Sequence, residues 1–236
     1  MALIRTLLAI LFLILYIPVA ALIGFPWTLL SGNADLLYNI SIWGARTAVR
    51  LAGILVEIEG REQLDPAKTY VFMANHVSNV DPPIIIPALP RRTSVLVKKE
   101  LFRIPILGRA MRLGSLVPVD RSNREAAVAS MHAAADVVRS GINMPIFPEG
   151  TRSYDGSLLP FKKGPFYLAM DSGAPIVPVT IQGTLKIMPK GSALIRQGKA
   201  RLIFHTPIQT HQFGDRDQLM EAVRRQIASA LPAELH

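Results

Sequence analysis

Thr69-Tyr70-Val71-Phe72-Met73-Ala74-Asn75-His76-Val77-Ser78-Asn79-Val80-Asp81-Pro82-Pro83-Ile84-Ile85-Ile86 is the stretch that decides the fold. Residues 69–74 form a short apolar run of the kind expected for a buried strand. Asp81 followed by Pro82 reads as a helix start, with Asp81 as N-cap and Pro82 at the first helical position. A strand therefore ends just before His76, and a helix begins at Asp81. On a regular helix a five-residue offset would turn Asp81 off the face of His76. The two can meet only if the intervening residues curl, and Ser78 and Asn79 suit a turn.

Outward from this stretch, strands and helices alternate. Residues 55–59 (Leu-Val-Glu-Ile-Glu) alternate like a half-buried strand and stop at Gly60. Residues 94–97, 144–147, 176–181 and 200–204 are further strand candidates. Ser122 and Glu125 form a capping box for a helix through Arg139, closed by Gly141, and residues 215–231 make a final amphipathic helix. The expected fold is α/β, with a mixed, largely parallel central sheet flanked by helices. Strand-end loops are then the natural place for a site.

The N-terminus differs. After Arg5 no charged residue occurs until Asp35, a run longer than the roughly 20 apolar residues that span a bilayer core. Pro18, Gly24 and Pro26 interrupt it, so a bent or re-entrant helix is as good a reading as a straight span. Trp27 near its end suits the headgroup boundary. The competing reading is a cleaved signal peptide, with Arg5 as its charged start and Val19-Ala20-Ala21 as its cleavage site, although the apolar run continues past that point. Residues 36–55 place Leu36, Ile40, Trp43, Thr47, Leu51 and Ile54 at helical spacing, with Arg46 and Arg50 on another face. That pattern fits an interfacial helix turned toward anionic headgroups, or an ordinary core-packing helix. The division expected is a two-helix membrane-attachment segment, 1–55, and an α/β domain, 56–236.

The 236 residues carry 26 Lys and Arg against 17 Asp and Glu, a formal net charge of +9. A basic surface attracts anionic lipid, nucleic acid or phosphorylated substrates. Aromatics make up only 7% and no RNA-binding signature is present, so nucleic acid ranks low. The chain has no cysteine, which excludes disulfides, thiolate metal sites and a cysteinyl acyl-enzyme.

His76 and Asp81 are the first chemical pair. If the carboxylate meets the ring, it holds one nitrogen as a donor and leaves the other to accept a proton, which suits general-base work near neutral pH. Alone, the spacing favours the plainer reading of a helix cap and a loop histidine. A second motif changes that balance: Phe147-Pro148-Glu149-Gly150-Thr151-Arg152-Ser153 follows a strand. Gly150 permits a tight backbone, and Arg152 offers the donor fork that fits phosphate. Lys98-Lys99-Glu100-Leu101-Phe102 sits at a strand end with a cationic pair, Asp120-Arg121 follows it, and Phe161-Lys162-Lys163-Gly164 comes later. Each of these alone is an ordinary exposed charge cluster.

Taken in order over residues 71–208, these stretches resemble the glycerolipid acyltransferases, specifically the 1-acylglycerol-3-phosphate acyltransferases. His76 and Asp81 match the family's His-x4-Asp block, and Glu149, Gly150, Thr151 and Arg152 its Glu-Gly-Thr-Arg block. Lys98 best matches the lysine before Glu-Leu-Phe, with Lys99 leaving a one-residue ambiguity. Residues 176–179 match the Ile-Val-Pro-Val block, and Pro189-Lys190-Gly191-Ser192 a later loop.

The resemblance implies a glycerol-3-phosphate acyltransferase-like fold and a direct acyl transfer in which His76 is the base and Asp81 orients it. It implies that Lys98, Glu149, Gly150, Thr151 and Arg152 bind substrate. The donor would be an acyl-CoA or acyl carrier protein thioester, the acceptor 1-acylglycerol-3-phosphate and the product phosphatidic acid, with no metal or cofactor. Membrane lipid would be a partner, with the catalytic part on the cytoplasmic face of the inner membrane. Other acceptors, such as a lyso-ornithine lipid or another lysophospholipid, stay open. Two further classes are a Ser78 esterase, which lacks a Gly-x-Ser-x-Gly elbow, and a non-catalytic lipid-binding membrane protein.

Overall fold

Of the run expected as a strand at 69–74, residues 71–74 form one, and both of its faces are covered. The structure, a computed structural model, describes residues 1–120 and 124–235. Successive strand side chains point to opposite faces. Phe72 and Ala74 accordingly enter one apolar core, with Ile84, Ile181, Leu202 and Phe204. Val71 and Met73 enter a second, with Ala134, Phe166, Leu219 and Val223. The unbroken apolar reading of this strand follows from that double burial.

In chain order the strands are β1 (Ile54–Glu59), β2 (Val71–Ala74), β3 (Leu96–Lys98), β4 (Val117–Val119), β5 (Met144–Ile146), β6 (Ile176–Gln182) and β7 (Gly198–Phe204). The helices are α1 (Ala2–Ser31), α2 (Asp35–Leu51), α3 (Asp81–Ile85), α4 (Pro105–Leu113), α5 (Arg124–Arg139), α6 (Gly164–Ser172), α7 (Thr184–Ile187) and α8 (Arg216–Ser229). Five strands make the central sheet in the order β1-β7-β6-β2-β5. Among these strands β6 and β7 pair antiparallel, while β1 with β7, and β2 with both β5 and β6, run parallel. The mixed, largely parallel sheet matches the expectation. The parallel run of β5, β2 and β6 brings their C-terminal ends to one edge, and there the site forms.

Several local expectations are corrected. The strand expected at 94–97 is β3, shifted to Leu96–Lys98, and it pairs with β4 in a separate parallel ribbon. Ser94 is held instead by donating its N–H to Asn143 O (2.9 Å) and its hydroxyl to Ser115 O (2.6 Å). Asp81 is not an N-cap: it is the first residue of α3, and its carboxylate turns back upstream. Asp215 does cap α8, accepting from Asp217 N at 3.2 Å. Ser122 of the expected capping box lies outside the described residues.

α1 runs unbroken through Pro18 and Pro26, although each proline removes the N–H that would have bonded the carbonyl four residues back. Its first turns are fastened to the rest of the chain. The Thr6 hydroxyl accepts from Ile195 N at 2.9 Å, and Ala9 is buried. α1 and α2 approach closely where they carry glycine: a Cβ at Gly44 would lie 2.3 Å from the Tyr16 ring, and one at Gly24 would lie 2.6 Å from Leu37. Helix α2 ends at Leu51, short of the expected residue 55, because Ile54 already belongs to β1. Of its two arginines, Arg46 is drawn to the protein, donating to Pro87 O at 2.7 Å. Trp43 stays 55% exposed beside Phe12 and Tyr16.

Candidate active site

At the end of β2, Asn75 extends the pairing with β6 through its side chain. Its amide donates to Ile181 O (3.0 Å) and its carbonyl accepts from Ile181 N (2.7 Å). The next residue, His76, therefore leaves the sheet at a fixed point. The chain then curls as the turn chemistry requires, and Asp81 Oδ2 receives three donors at 2.8 Å each: the His76 ring at Nδ1 and the main-chain N–H groups of Val77 and Ser78. Asp81 is fully buried, while the His76 side chain keeps 17% of its surface exposed. A ring nitrogen held by carboxylate at Nδ1 presents Nε2 as the proton acceptor.

The β5 loop holds the same histidine from the other side. Phe147 stacks on its ring with centroids 4.0 Å apart. Glu149 Oε1 accepts from His76 N at 2.6 Å, and the His76 carbonyl accepts from Ser153 N at 2.8 Å. Glu149 Oε2 accepts from Leu159 N at 3.0 Å, so both of its oxygens are committed to backbone amides inside the protein. Glu149, expected among the substrate-binding residues, is bonded to the main chain at His76 and Leu159. Burial pushes its carboxyl up to about 7, against the pull of the His76 and Leu159 amides and of Arg224.

Gly150 makes the turn with φ 70°, a backbone that side chains rarely adopt, and donates to Phe147 O at 3.0 Å. Thr151 is exposed beside Lys190 (Nζ–Oγ1 3.4 Å). Arg152 is half-buried, and its Nη1 is enclosed without a hydrogen-bond partner among the described residues. A buried guanidinium nitrogen with no acceptor is costly unless something arrives to accept from it. Residues 76, 81, 149, 150, 151 and 152 thus gather at the ends of β2 and β5. Lys98 does not join them by any direct bond; it stands exposed at the end of β3. Lys99 is engaged in an ion pair with Asp120, which leaves Lys98 as the available cation of the two.

The acyltransferase family model matches residues 55–182, a span that contains every one of these site residues. The chain belongs to the acyltransferase family. Its similarity to a chloroplastic 1-acyl-sn-glycerol-3-phosphate acyltransferase of Brassica napus is 37% identity over 74% of this chain and 50% of that protein. With 1-acyl-sn-glycerol-3-phosphate acyltransferase of Limnanthes alba it is 37% over 78% and 65%. The chain thus spans between half and two-thirds of the length of these curated relatives. Among solved structures, the 1-acyl-sn-glycerophosphate acyltransferase PlsC of Thermotoga maritima superposes with a TM-score of 0.76 at 27% identity. That match covers 97% of this chain and 95% of that one.

Sequence reasoning missed three contributors in this acyltransferase-family chain. Asn75 and Phe147 set the position and plane of the histidine, yet each looks like an ordinary strand-end residue. Lys190 donates to Arg152 O at 2.8 Å and lies 3.9 Å from the Tyr154 ring centroid, tying its loop to the arginine segment. The same loop meets the histidine turn, where the Ser78 hydroxyl donates to Met188 O at 2.6 Å. Ser78 is fully buried and engaged in that way, which is a structural role rather than that of a nucleophile.

Beside the site is an apolar cavity of about 700 Å³. Asn79, Val80 and Pro82 of the histidine turn line it, together with Ile17 of α1, Ala48 of α2 and Met111 of α4. Among the described residues, no group of three or more His, Asp or Glu side chains is arranged to hold a metal ion.

Proposed function

We propose that this chain transfers a fatty acyl group from a thioester to the sn-2 hydroxyl of 1-acylglycerol-3-phosphate, forming phosphatidic acid at a membrane surface. The observation that carries the reading is the 2.8 Å bond from Asp81 Oδ2 to His76 Nδ1. It aims a partly exposed imidazole as a base beside a cavity suited to an alkyl chain. His76 Nε2 takes the proton of the acceptor hydroxyl as that oxygen attacks the thioester carbonyl carbon. The C–S bond then breaks, the imidazolium returns the proton to the departing thiolate, and Asp81 offsets the transient positive charge. Arg152, through its enclosed Nη1, and Lys98 hold the acceptor phosphate by charge-assisted bonds. Glu149 fixes the backbone of the base, and Gly150 and Thr151 shape the loop that presents Arg152. Fixing both reactants near attack geometry contributes up to about 7–11 kcal/mol of the barrier. The reaction calls on no resident cofactor, the thioester being a co-substrate.

The apolar cavity favours the membrane. Drawing an acyl chain into water costs about 0.8 kcal/mol per methylene. α1 is long and apolar enough, by length and composition, to cross a bilayer. We place the attachment segment expected at 1–55 in α1 and α2, and the catalytic part from β1 onward, on the cytoplasmic face of the inner membrane. The names carried by the relatives, and the phosphate-binding character of Arg152, favour 1-acylglycerol-3-phosphate over a lyso-ornithine lipid.

The test is a panel of lysolipids with labelled acyl-CoA and acyl carrier protein. Labelled phosphatidic acid from the phosphate acceptor supports the reading. Transfer only to a different lysolipid, or no transfer with either donor, rejects it.

A further inference from the structure

Among the described residues outside the N-terminal helices, exposed large apolar side chains fall closest together in sequence at residues 101–106. Leu101 is 41% exposed, Ile104 47% and Ile106 59%, all within one short stretch that leads into α4. Their exposure is built in. Phe102 between them is buried, with the Arg112 guanidinium 5.9 Å from its ring centroid. Gly108 presses so tightly on this turn that a Cβ there would lie 2.1 Å from Phe102 O, and Gly108 N donates to Ile104 O at 2.6 Å. With Phe102 anchored inward, its apolar neighbours are held outward.

Two further features say what covers them. Helix α4, whose first turn carries Ile106, packs directly on α1, the apolar helix. Cations border these side chains: Arg103 and Arg109 are exposed, as is Lys98. Apolar side chains rimmed by arginine and lysine match an interface of acyl chains under anionic headgroups. The other face of α4, through Leu107 and Met111, lines the apolar cavity.

We infer that residues 101–106 are a second membrane-docking element, inserting Leu101, Ile104 and Ile106 among the lipids beside α1. The inference rests on the membrane-attached reading given above. It assigns the segment a task separate from the chemistry: it sets the tilt of the domain on the bilayer and brings Lys98 to the level of the headgroup phosphates.

The absence of cysteine makes a direct test simple. Full-length Ile106→Cys, Leu22→Cys and Ser140→Cys proteins each carry a nitroxide, and collision with oxygen and with a water-soluble nickel complex is measured. The measurement is made with and without vesicles of phosphatidylcholine and phosphatidylglycerol. The expected result is a severalfold rise in the oxygen-to-nickel ratio at positions 106 and 22, and no change at 140. A rise at 22 alone leaves membrane attachment standing and overturns the inference. No rise at either position overturns both.

An Ile104→Asp/Ile106→Asp double variant supplies the second readout. Transfer to a vesicle-borne acceptor is expected to fall about tenfold or more, and transfer to a short-chain acceptor dissolved as monomers to hold. An equal fall with both acceptors, or none with either, contradicts a docking role.

Discussion

His76 and Glu149, 73 positions apart in sequence, are joined by a 2.6 Å hydrogen bond from the histidine main-chain nitrogen to Oε1 of the glutamate. The Glu-Gly-Thr-Arg loop therefore helps fix where His76 stands. Because Glu149 also accepts from Leu159 N, a glutamine there keeps one acceptor and turns an N–H₂ donor toward the other amide. Leaving a buried donor unsatisfied costs about 1–3 kcal/mol. Glu149→Gln is accordingly expected to lower kcat, as steady-state kinetics would show, and to lower stability at acid pH, as thermal unfolding there would show. The pH dependence has a defined sign. The folded carboxyl sits at about 7 against an ordinary 4.5, so the native state holds the extra proton between those values. This group's contribution is fully present below about pH 4.5 and is lost as pH rises toward 7, by about 3 kcal/mol in all. The stability difference between wild type and Glu149→Gln should shrink over that window and be flat above it.

Asp81→Asn replaces an acceptor of three hydrogen bonds by a group that must present a donor on one side. The turn keeps its shape only partly, and the imidazole loses the charge that aims it. We expect kcat to fall by about 10²–10⁴-fold, the range of general-base contributions, with a much smaller change in KM for either substrate. Circular dichroism on the same preparation separates this from unfolding; equal kcat in the two proteins would remove Asp81 from the mechanism.

The two lysines at the end of β3 should behave differently. Lys99 is tied to Asp120, and Lys98 is exposed. Lys98→Ala is expected to raise KM for the acceptor by about tenfold to a hundredfold, and Lys99→Ala to leave it close to wild type. Arg152→Lys should resemble Lys98→Ala rather than wild type, because an ammonium cannot supply the planar fork. Saturation curves in the acceptor, at fixed donor, distinguish these cases. A larger effect at position 99 would reverse the assignment of Lys98.

If the apolar cavity holds a reacting acyl chain, its volume sets the preferred chain length. Ala48 of α2 lines it together with Met111 and Ile17, so Ala48→Phe fills part of the space. The preferred acyl chain should become shorter, with long-chain activity reduced and short-chain activity retained. Competition between donors of different length, read out by mass spectrometry of the product, measures the shift. An unchanged preference would mean that the cavity holds no reacting chain.

Much of this was legible before any coordinates. The apolar run at residues 69–74, ending in a turn-rich loop with His76 and Asp81, placed the pair at a sheet edge, because strand and turn chemistry are local properties. The ladder order was not legible, since β1 pairs with β7 across some 140 residues and periodicity carries no information about partners. The role of Asp81 as cap was misjudged because a carboxylate before Pro82 looks the same whether it bends forward into the helix or back to Val77 and Ser78. The bonds that Glu149 makes to the main chain were not legible for a similar reason. A charged residue in a loop is usually exposed, and only the approach of the β2 end to the β5 loop gives it two amides to accept. α4 and α6 passed unnoticed because each is only nine residues long and opens beside a proline.

The proposal as a whole stands on one imidazole acting as a base in acyl transfer. Its most direct measurement is the initial rate of labelled phosphatidic acid formation from labelled acyl-CoA or acyl carrier protein and 1-acylglycerol-3-phosphate, for wild type and for folded His76→Ala in the same vesicles. The expected result is product from the wild type and a rate lower by about 10²-fold or more from the variant, with vesicle binding unchanged. Equal rates in the two proteins, or a wild type that binds the lipids without turning them over, would contradict it.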